Sequence, residues 1–357
     1  MSSVAVAGPA KDALDALSPA QVDFIKRLPK AELHAHLNGS IPLHVLRSLA
    51  LEYSEKAHGL NSATVSSSAI ESGIQALQAG VNLDTIHSFF DLFPAIYALT
   101  STPETVARTA RAVLEDFLDG PEPQCAYLEL RSTPRAVPSS GMTRLAYVET
   151  VLDEVERYPP ERAALIVSLD RRMSDAEAAE CVAVAKKLKA EGRRVVGVDL
   201  CGSPLAGDMA MFKKHFETAR EAGLGITLHI AETPDNTRED TLELLSFKPN
   251  RLGHATFLDD ETIHAVVQAD TCIELCLSSN ILARRCKTVP SLDAHHIRHY
   301  LKHNHRIAIC TDDALPFRTN LVAEYALLLA PRPLGLGLSE AEVARIAEMG
   351  MGGRFTA

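Results

Sequence analysis

No window of the 357-residue chain approaches the run of about 18 apolar residues that a membrane-spanning helix requires. Cationic side chains are not in excess either. There are 36 lysines and arginines against 46 aspartates and glutamates, a formal net charge of −10. Nucleic-acid and anionic-membrane binders draw affinity from surplus positive charge, so both are set aside as general partners. A small anionic ligand is not excluded, because it needs only a local patch. The first 20 residues hold no basic segment followed by a long apolar run, which argues against a secretory leader. The first arginine is Arg27, which argues against an Arg-rich transit peptide. There is no CxxC, and the seven scattered cysteines are odd in number, so they read as reduced thiols used as small core side chains. A cytoplasmic location follows as the expectation.

What is present points to an ordinary core: 46% hydrophobic and 23% charged residues. Length alone allows two domains, but α/β barrels of this size run as one. Residues 1–20 read as a mobile tail, and Ser18 as the N-cap of the helical pattern PAQVDFIKRL; residues 21–357 read as a single domain. Eight short apolar, β-branched segments recur: Ala31–Leu37, Cys125–Arg131, Ala163–Asp170, Arg194–Leu200, Gly225–Ala231, Arg251–Ala255, Thr271–Leu277 and Arg306–Thr311. Amphipathic patterns such as Asp175–Ala190 and Asp208–Glu221 lie between them. Alternating strands and helices imply a parallel sheet, and eight such units are the count of a (β/α)8 barrel. No GxGxxG follows the first strand, so an open dinucleotide-binding sheet fits less well. The connection from Asn38 to Gln124 is the longest and leaves from the face where barrels place their chemistry, which makes it a candidate lid. Its Ser62–Ser72 portion reads as a solvated excursion.

The chemistry-bearing residues sit at the C-terminal ends of the strands. His34 and His36, two apart on a strand, project to the same side and can converge on one cation. Alone, such a pair is a weak signal in a chain with 14 histidines. It gains weight from His229, His254 and Asp312 at the ends of the fifth, sixth and eighth strands. Imidazole and carboxylate donors suit Zn2+ better than Ca2+ or Mg2+. Three histidines and one aspartate leave a position open for water, whose pKa zinc can lower to about 7. Glu232, three residues after His229, is placed to pass a proton to a ring nitrogen of the substrate, which releasing an amine requires. His254 and Asp313 remain to orient water and substrate.

Five strings carry this set in order: HAHLNGS (34–40), GVDLCGSP (197–204), HIAE (229–232), RLGHA (251–255) and CTDD (310–313). Together they resemble the adenosine/AMP deaminase branch of the amidohydrolase superfamily, over nearly the whole chain. The resemblance implies a metallo-dependent hydrolase barrel with one zinc per chain, hydrolytic deamination at purine C6, and a monomer. It implies that His34, His36, His229 and Asp312 are the metal ligands. It further implies that Glu232 protonates purine N1, that His254 steers the attacking hydroxide, and that Gly202 and Asp313 hold the ring nitrogens. Asn38 stands where adenosine deaminases carry an aspartate; an uncharged donor tolerates a 5′-phosphate that a carboxylate would repel. With Thr133 and Arg135 in TP(K/R), and with ELCLSSN (274–280), the chain is most similar to a subgroup that hydrolyses N6-methyl-AMP to IMP and methylamine. Asn38, Thr133 and Arg135 are then the expected phosphate contacts. The alternatives are adenosine or adenine as substrate, or a catalytically silent nucleotide-binding barrel.

Several features read as structural. Arg131 is balanced between a phosphate role and pairing with Glu129 or loop carboxylates. Phe89, Phe90 and Phe93 read as packing rather than a gate. His295, His296, His299, His303 and His305 read as surface residues. After Glu348 the chain runs MGMGGRFTA, where the family resemblance implies a longer helix, so a truncated last helix is expected.

Overall fold

The computed structural model describes residues 6–59, 68–79, 91–120, 122–283 and 289–355. Its strands are β1 (Ala31–His36), β2 (Tyr127–Ser132), β3 (Ala163–Asp170), β4 (Val195–Cys201), β5 (Gly225–Ile230), β6 (Arg251–His254), β7 (Cys272–Leu275) and β8 (Ile307–Ile309). They pair in parallel in chain order, and a parallel bridge from Ala35 to Asp312 brings β1 beside the end of β8. The result is a nearly closed (β/α)8 barrel with helices outside. The bounds read from the sequence differ from these by at most two residues at either end. The agreement has a physical cause: barrel strands are covered on both faces, so they are written as nearly continuous apolar runs. The helices start where side chains satisfy free backbone N–H groups. Ser174 with Glu177, Thr102 with Thr105 and Ser339 with Glu342 form reciprocal capping boxes. No helix among the described residues is long and apolar enough to cross a membrane.

Two expectations are corrected here. The N-terminal segment is not a tail from Pro9 onward. Pro9–Asp15 is a helix that buries Ala10 and Ala13 and packs on the helix Leu321–Leu329. Small side chains at i and i+3 let the two helices approach closely. The last helix is not truncated: Glu340–Gly352 spans 13 residues and packs on β8 and β1. Its Gly350 lies against Ala308 of β8. Beyond it, Phe355 covers the N-terminal mouth of the barrel. A Cβ on Gly197 or Gly225 would lie 2.6 or 2.5 Å from its ring, so both positions must be glycine for the ring to seat. Arg251 from β6 stacks over that ring at 3.6 Å and donates to the carbonyl of Gly353 at 2.9 Å. The Phe355 N–H donates to Glu129 Oε1 at 2.6 Å.

The long β1–β2 connection carries the helices Leu43–Gly59, Ser68–Ala79, Phe93–Leu99 and Pro103–Leu118. The Ser-rich stretch therefore runs into a helix at Ser68. Residues 62–67, Phe89 and Phe90 lie outside the described residues. Six of the seven cysteines are described, and all six are buried and free.

Candidate active site

The C-terminal strand ends gather imidazoles around one point. His229 Nε2 is 3.0 Å from His34 Nε2 and 3.1 Å from His36 Nε2. Asp312 Oδ1 is 3.4 Å from His36 Nε2 and 3.8 Å from His34 Nε2. His254 stands beside them, its Nε2 3.9 Å from Asp312 Oδ2. One ligating atom from each of His34, His229, His254 and Asp312 can be chosen so that all lie within 4.8 Å of one another.

The partners on the far side of each ring decide what faces the centre. His34 Nδ1 is 2.5 Å from Glu274 Oε2. His229 Nδ1 is 3.0 Å from both Asp199 Oδ1 and the Leu200 carbonyl. These are acceptors, so each ring keeps its proton on Nδ1 and, when neutral, points an Nε2 lone pair inward. Two lone pairs 3.0 Å apart repel unless a cation lies between them. With His36 and Asp312 added, the cluster holds more donors than a shared proton can serve. Bonds of about 2.0 Å in a tetrahedron set its donors about 3.3 Å apart, within the spread seen for His34, His36, His229 and Asp312. The residues thus fit a metal ion.

The orienting carboxylates are held ionised. Burial pushes the Glu274 carboxyl up, but Arg131 and Arg251, with hydrogen bonds from Arg251 and Thr227, outweigh it and bring the pKa to about 2. Burial likewise works against Asp199, and the nearby His229 and Arg131 hold it well below the usual range. Arg131 Nη2 donates to Glu274 Oε2 at 2.8 Å, and Nη1 lies 3.4 Å from Asp199 Oδ1. Arg131 is therefore structural, although its partners are Glu274 and Asp199 rather than Glu129. Glu129 pairs with Arg251 at 2.6 Å inside the barrel. Ser279 Oγ donates to Asp312 Oδ2 at 2.7 Å and turns Oδ1 toward the imidazoles. The backbone at these strand ends is forced: Ala231, His254, Ala255 and Asp312 have φ of 46, 63, 49 and 64°. Such left-handed conformations persist only where surrounding contacts fix them, and they collect at functional sites.

His36, His229, His254 and Asp312 line the floor of a cavity of about 860 Å³, and His34 is buried behind them. Glu232, from the loop after β5, lines it. Burial pushes its carboxyl up to about 7, with Asp312 and Asp199 adding to the rise and His229 and Arg171 opposing it. A carboxyl near neutrality can both give and take a proton at physiological pH. Asp313 lines the same cavity, and burial beside Asp312 and Glu232 raises it well above the ordinary carboxyl value. Gly202, at the end of β4, has φ of 99°, and a Cβ there would meet the Asp170 carboxylate at 2.8 Å.

Asn38, Thr133 and Arg135 also line the cavity. Asn38 Oδ1 is buried without a partner, and Thr133 Oγ1 is 3.6 Å from Cys201 Sγ. Arg135 is more committed than expected. It donates to the Tyr97 and Thr100 carbonyls at 3.0 and 2.8 Å, and its guanidinium lies 4.6 Å from the Tyr97 ring centroid. It thereby ties the Phe93–Leu99 helix, with Phe93 and Tyr97, to the cavity rim.

Four of the five histidines read as surface residues are buried or partly so, only His303 being exposed, and two of them reach the site. His295 donates from Nε2 to Asn280 Oδ1 at 3.2 Å, and His296 Nε2 donates to the His254 carbonyl at 2.8 Å. His305 is buried below, bonding the Thr271 carbonyl at 2.7 Å. A 3-10 turn (Leu292–Ala294) and a separate helix (Ile297–Lys302) meet at His295 and turn two rings inward. Asp199 and Glu274 were also missed as site residues. Their signal is a lone carboxylate inside an apolar strand, in GVDLC and CIEL, where it must be paired if it is buried.

A parallel barrel with imidazole and carboxylate donors converging at its C-terminal face, beside a glutamate poised near neutrality, has the parts of a hydrolase. A family profile described as adenosine deaminase matches residues 29–357. A human protein named N6-Methyl-AMP deaminase is 36% identical over 322 residues, covering 87% of this chain and 84% of that one. The apo structure of the N6-methyl-AMP deaminase from Arabidopsis thaliana superposes with a TM-score of 0.79 at 34% identity, covering 94% of each chain. A crystal structure of Arabidopsis ADAL complexed with IMP gives 0.78 at 33% identity, covering 93% of this chain and 94% of that one. The chain belongs to the adenosine deaminase family and is a deaminase, a hydrolase of the C–N bonds of cyclic amidines.

Proposed function

We propose that this deaminase converts N6-methyl-AMP and water to IMP and methylamine. The observation that carries the reading is the meeting, on one cavity floor, of the His36, His229 and Asp312 donors, with His34 buried directly behind them, and a glutamate whose pKa is pushed to about 7. The names of the human and Arabidopsis relatives support the substrate, and IMP in the Arabidopsis complex has the chemistry of the product.

His34, His36, His229 and Asp312 would hold zinc, which when bound supplies Lewis acidity and makes water acidic enough to act as a nucleophile near pH 7. The remaining work belongs to the side chains. Protonated Glu232 gives its proton to purine N1 as water oxygen bonds to C6, so the ring nitrogen rather than the exocyclic amine takes up the developing charge. His254 orients the incoming oxygen. The Gly202 backbone and Asp313 hold the other ring nitrogens; Asp313, kept protonated by burial, serves as a donor. The C6–N6 bond then breaks: one proton of the added water passes through Glu232 to the departing methylamine, the other returns to Glu232 as its carboxylic acid, and a C6 carbonyl remains.

Asn38 and Thr133 supply uncharged polar groups for the 5′-phosphate, and Arg135 supplies positive charge. One observation favours adenosine as the second reading: both Arg135 Nη groups are already bonded to Tyr97 and Thr100. Measuring kcat/KM for N6-methyl-AMP, AMP and adenosine separates the two. Asn38→Asp is expected to depress both nucleotides at least about tenfold more than adenosine, because it sets a carboxylate against the phosphate. Equal losses on all three would contradict a phosphate role for Asn38.

A further inference from the structure

The buried polar chain behind His254 is anchored on a backbone group, and this fixes every proton along it. The Ile297 N–H donates to His295 Nδ1 at 3.0 Å. A backbone N–H can only donate, so His295 Nδ1 is the unprotonated nitrogen and Nε2 carries the hydrogen. That Nε2–H, 3.2 Å from Asn280 Oδ1, requires the amide oxygen of Asn280 to face His295. The Asn280 amide nitrogen must then face His254, and it does, 3.2 Å from Nδ1, with Thr256 Oγ1 as its second acceptor at 3.4 Å. His254 Nδ1 therefore accepts, and its single proton is on Nε2. That nitrogen is buried, has no hydrogen-bond partner, and points into the reaction site beside Asp312 Oδ2 at 3.9 Å.

His34 and His229 are set the opposite way. Their Nδ1 atoms face acceptors, so their lone pairs face the centre. We propose that Asn280 and His295 are positioning residues that lock His254 in its Nε2–H tautomer, barring it from the metal-ligand set and turning an N–H toward the reacting oxygen. The geometry explains how a fourth imidazole as close to the centre as the ligands escapes coordination. His296 assists by donating to the His254 carbonyl at 2.8 Å, where the backbone has φ of 63°. The role of the N–H rests on the deaminase reading; the tautomer itself does not.

The test is long-range 1H–15N correlation spectroscopy of the metal-loaded protein labelled at histidine, with the His254 signals assigned by their loss in His254→Gln. The expected pattern is an unprotonated Nδ1 and a protonated Nε2 for His254; the reverse overturns the proposal. Asn280→Asp keeps the shape but offers acceptors to both rings, so His254 is expected to move its proton to Nδ1. Its free Nε2 lone pair then joins the donor set. The expected consequences are a kcat about 100-fold lower with KM little changed, and metal release to a chelator slowed about tenfold or more. An Asn280→Asp protein whose His254 keeps the Nε2–H pattern, or whose kcat stays within about threefold of the parent, also overturns it. Where that variant does not fold, the spectrum of the unmodified protein decides alone. The expected tautomer in a protein that deaminates no purine would refute the functional reading and leave the assignment standing.

Discussion

Arg251→Met removes a guanidinium sealed between two carboxylates and the chain's C-terminal aromatic ring. Arg251 donates to Glu129 and Glu274 at 2.6 Å each and stacks on Phe355, with 2% of its side chain exposed. Deleting one partner of a buried ion pair costs about 3–5 kcal/mol, because the remaining charge stays desolvated. A desolvated cation–π contact contributes about 2 kcal/mol. The contacts share one residue and do not add, so the expected loss at pH 8 is about 4–6 kcal/mol. The loss depends on pH. Burial pushes Glu129 up, and Arg251 is the strongest influence opposing it. Without Arg251 the folded-state pKa rises further above the unfolded value. The native state then binds more protons than the unfolded chain between those values, and stability falls as pH rises through them. The gap between variant and parent is therefore smallest near pH 4.5 and widens toward pH 8. Urea unfolding followed by circular dichroism at pH 5 and pH 8 measures it, and adding Glu129→Gln to Arg251→Met should restore part of the loss at pH 8. A loss below about 1 kcal/mol at pH 8, or one equal at both pH values, would refute the assignment of Arg251 as the counter-charge of a buried layer.

Other expectations follow from the same contacts. Glu232→Gln removes the proton carrier while leaving the imidazole cluster intact, so kcat on N6-methyl-AMP should fall about 10²–10⁴-fold with metal content unchanged by elemental analysis. Gly225→Ala places a methyl 2.5 Å from the Phe355 ring and should displace the C-terminal segment, read as faster proteolytic removal of residues beyond Gly353. Glu324 is fully buried, accepts from Thr319 Oγ1 at 2.7 Å, and is pushed by burial up to about 7. Its folded pKa lies above the ordinary 4.5, so it withdraws stability as pH rises between these values. Glu324→Gln should therefore gain on the parent by about 3 kcal/mol between pH 4 and pH 8, read from denaturation midpoints.

The barrel and the donors were legible because each leaves a local mark. Strands covered on both faces are continuous apolar runs, and a ligand pair two apart on a strand is visible as HAH. The orienting groups were less legible because their roles depend on distant partners. Arg251 was read within RLGHA, but nothing local says that its guanidinium spans Glu129, Glu274 and Phe355. Arg135 carries the right charge for a phosphate, and only the fold places the Tyr97 and Thr100 carbonyls within its reach. His295 and His296 were misread because the 3-10 turn at Leu292–Ala294 breaks the helical phase and rotates their rings inward. The Ala10 and Ala13 spacing was a readable sign of packing, hidden by the Ala- and Ser-rich composition around it.

The most direct measurement is incubation of the purified, zinc-loaded protein with N6-methyl-AMP and quantification of both products by chromatography with mass detection. IMP and methylamine rising in equal amounts, faster than inosine from adenosine, is the predicted result. No IMP, or a clear preference for adenosine, would contradict it.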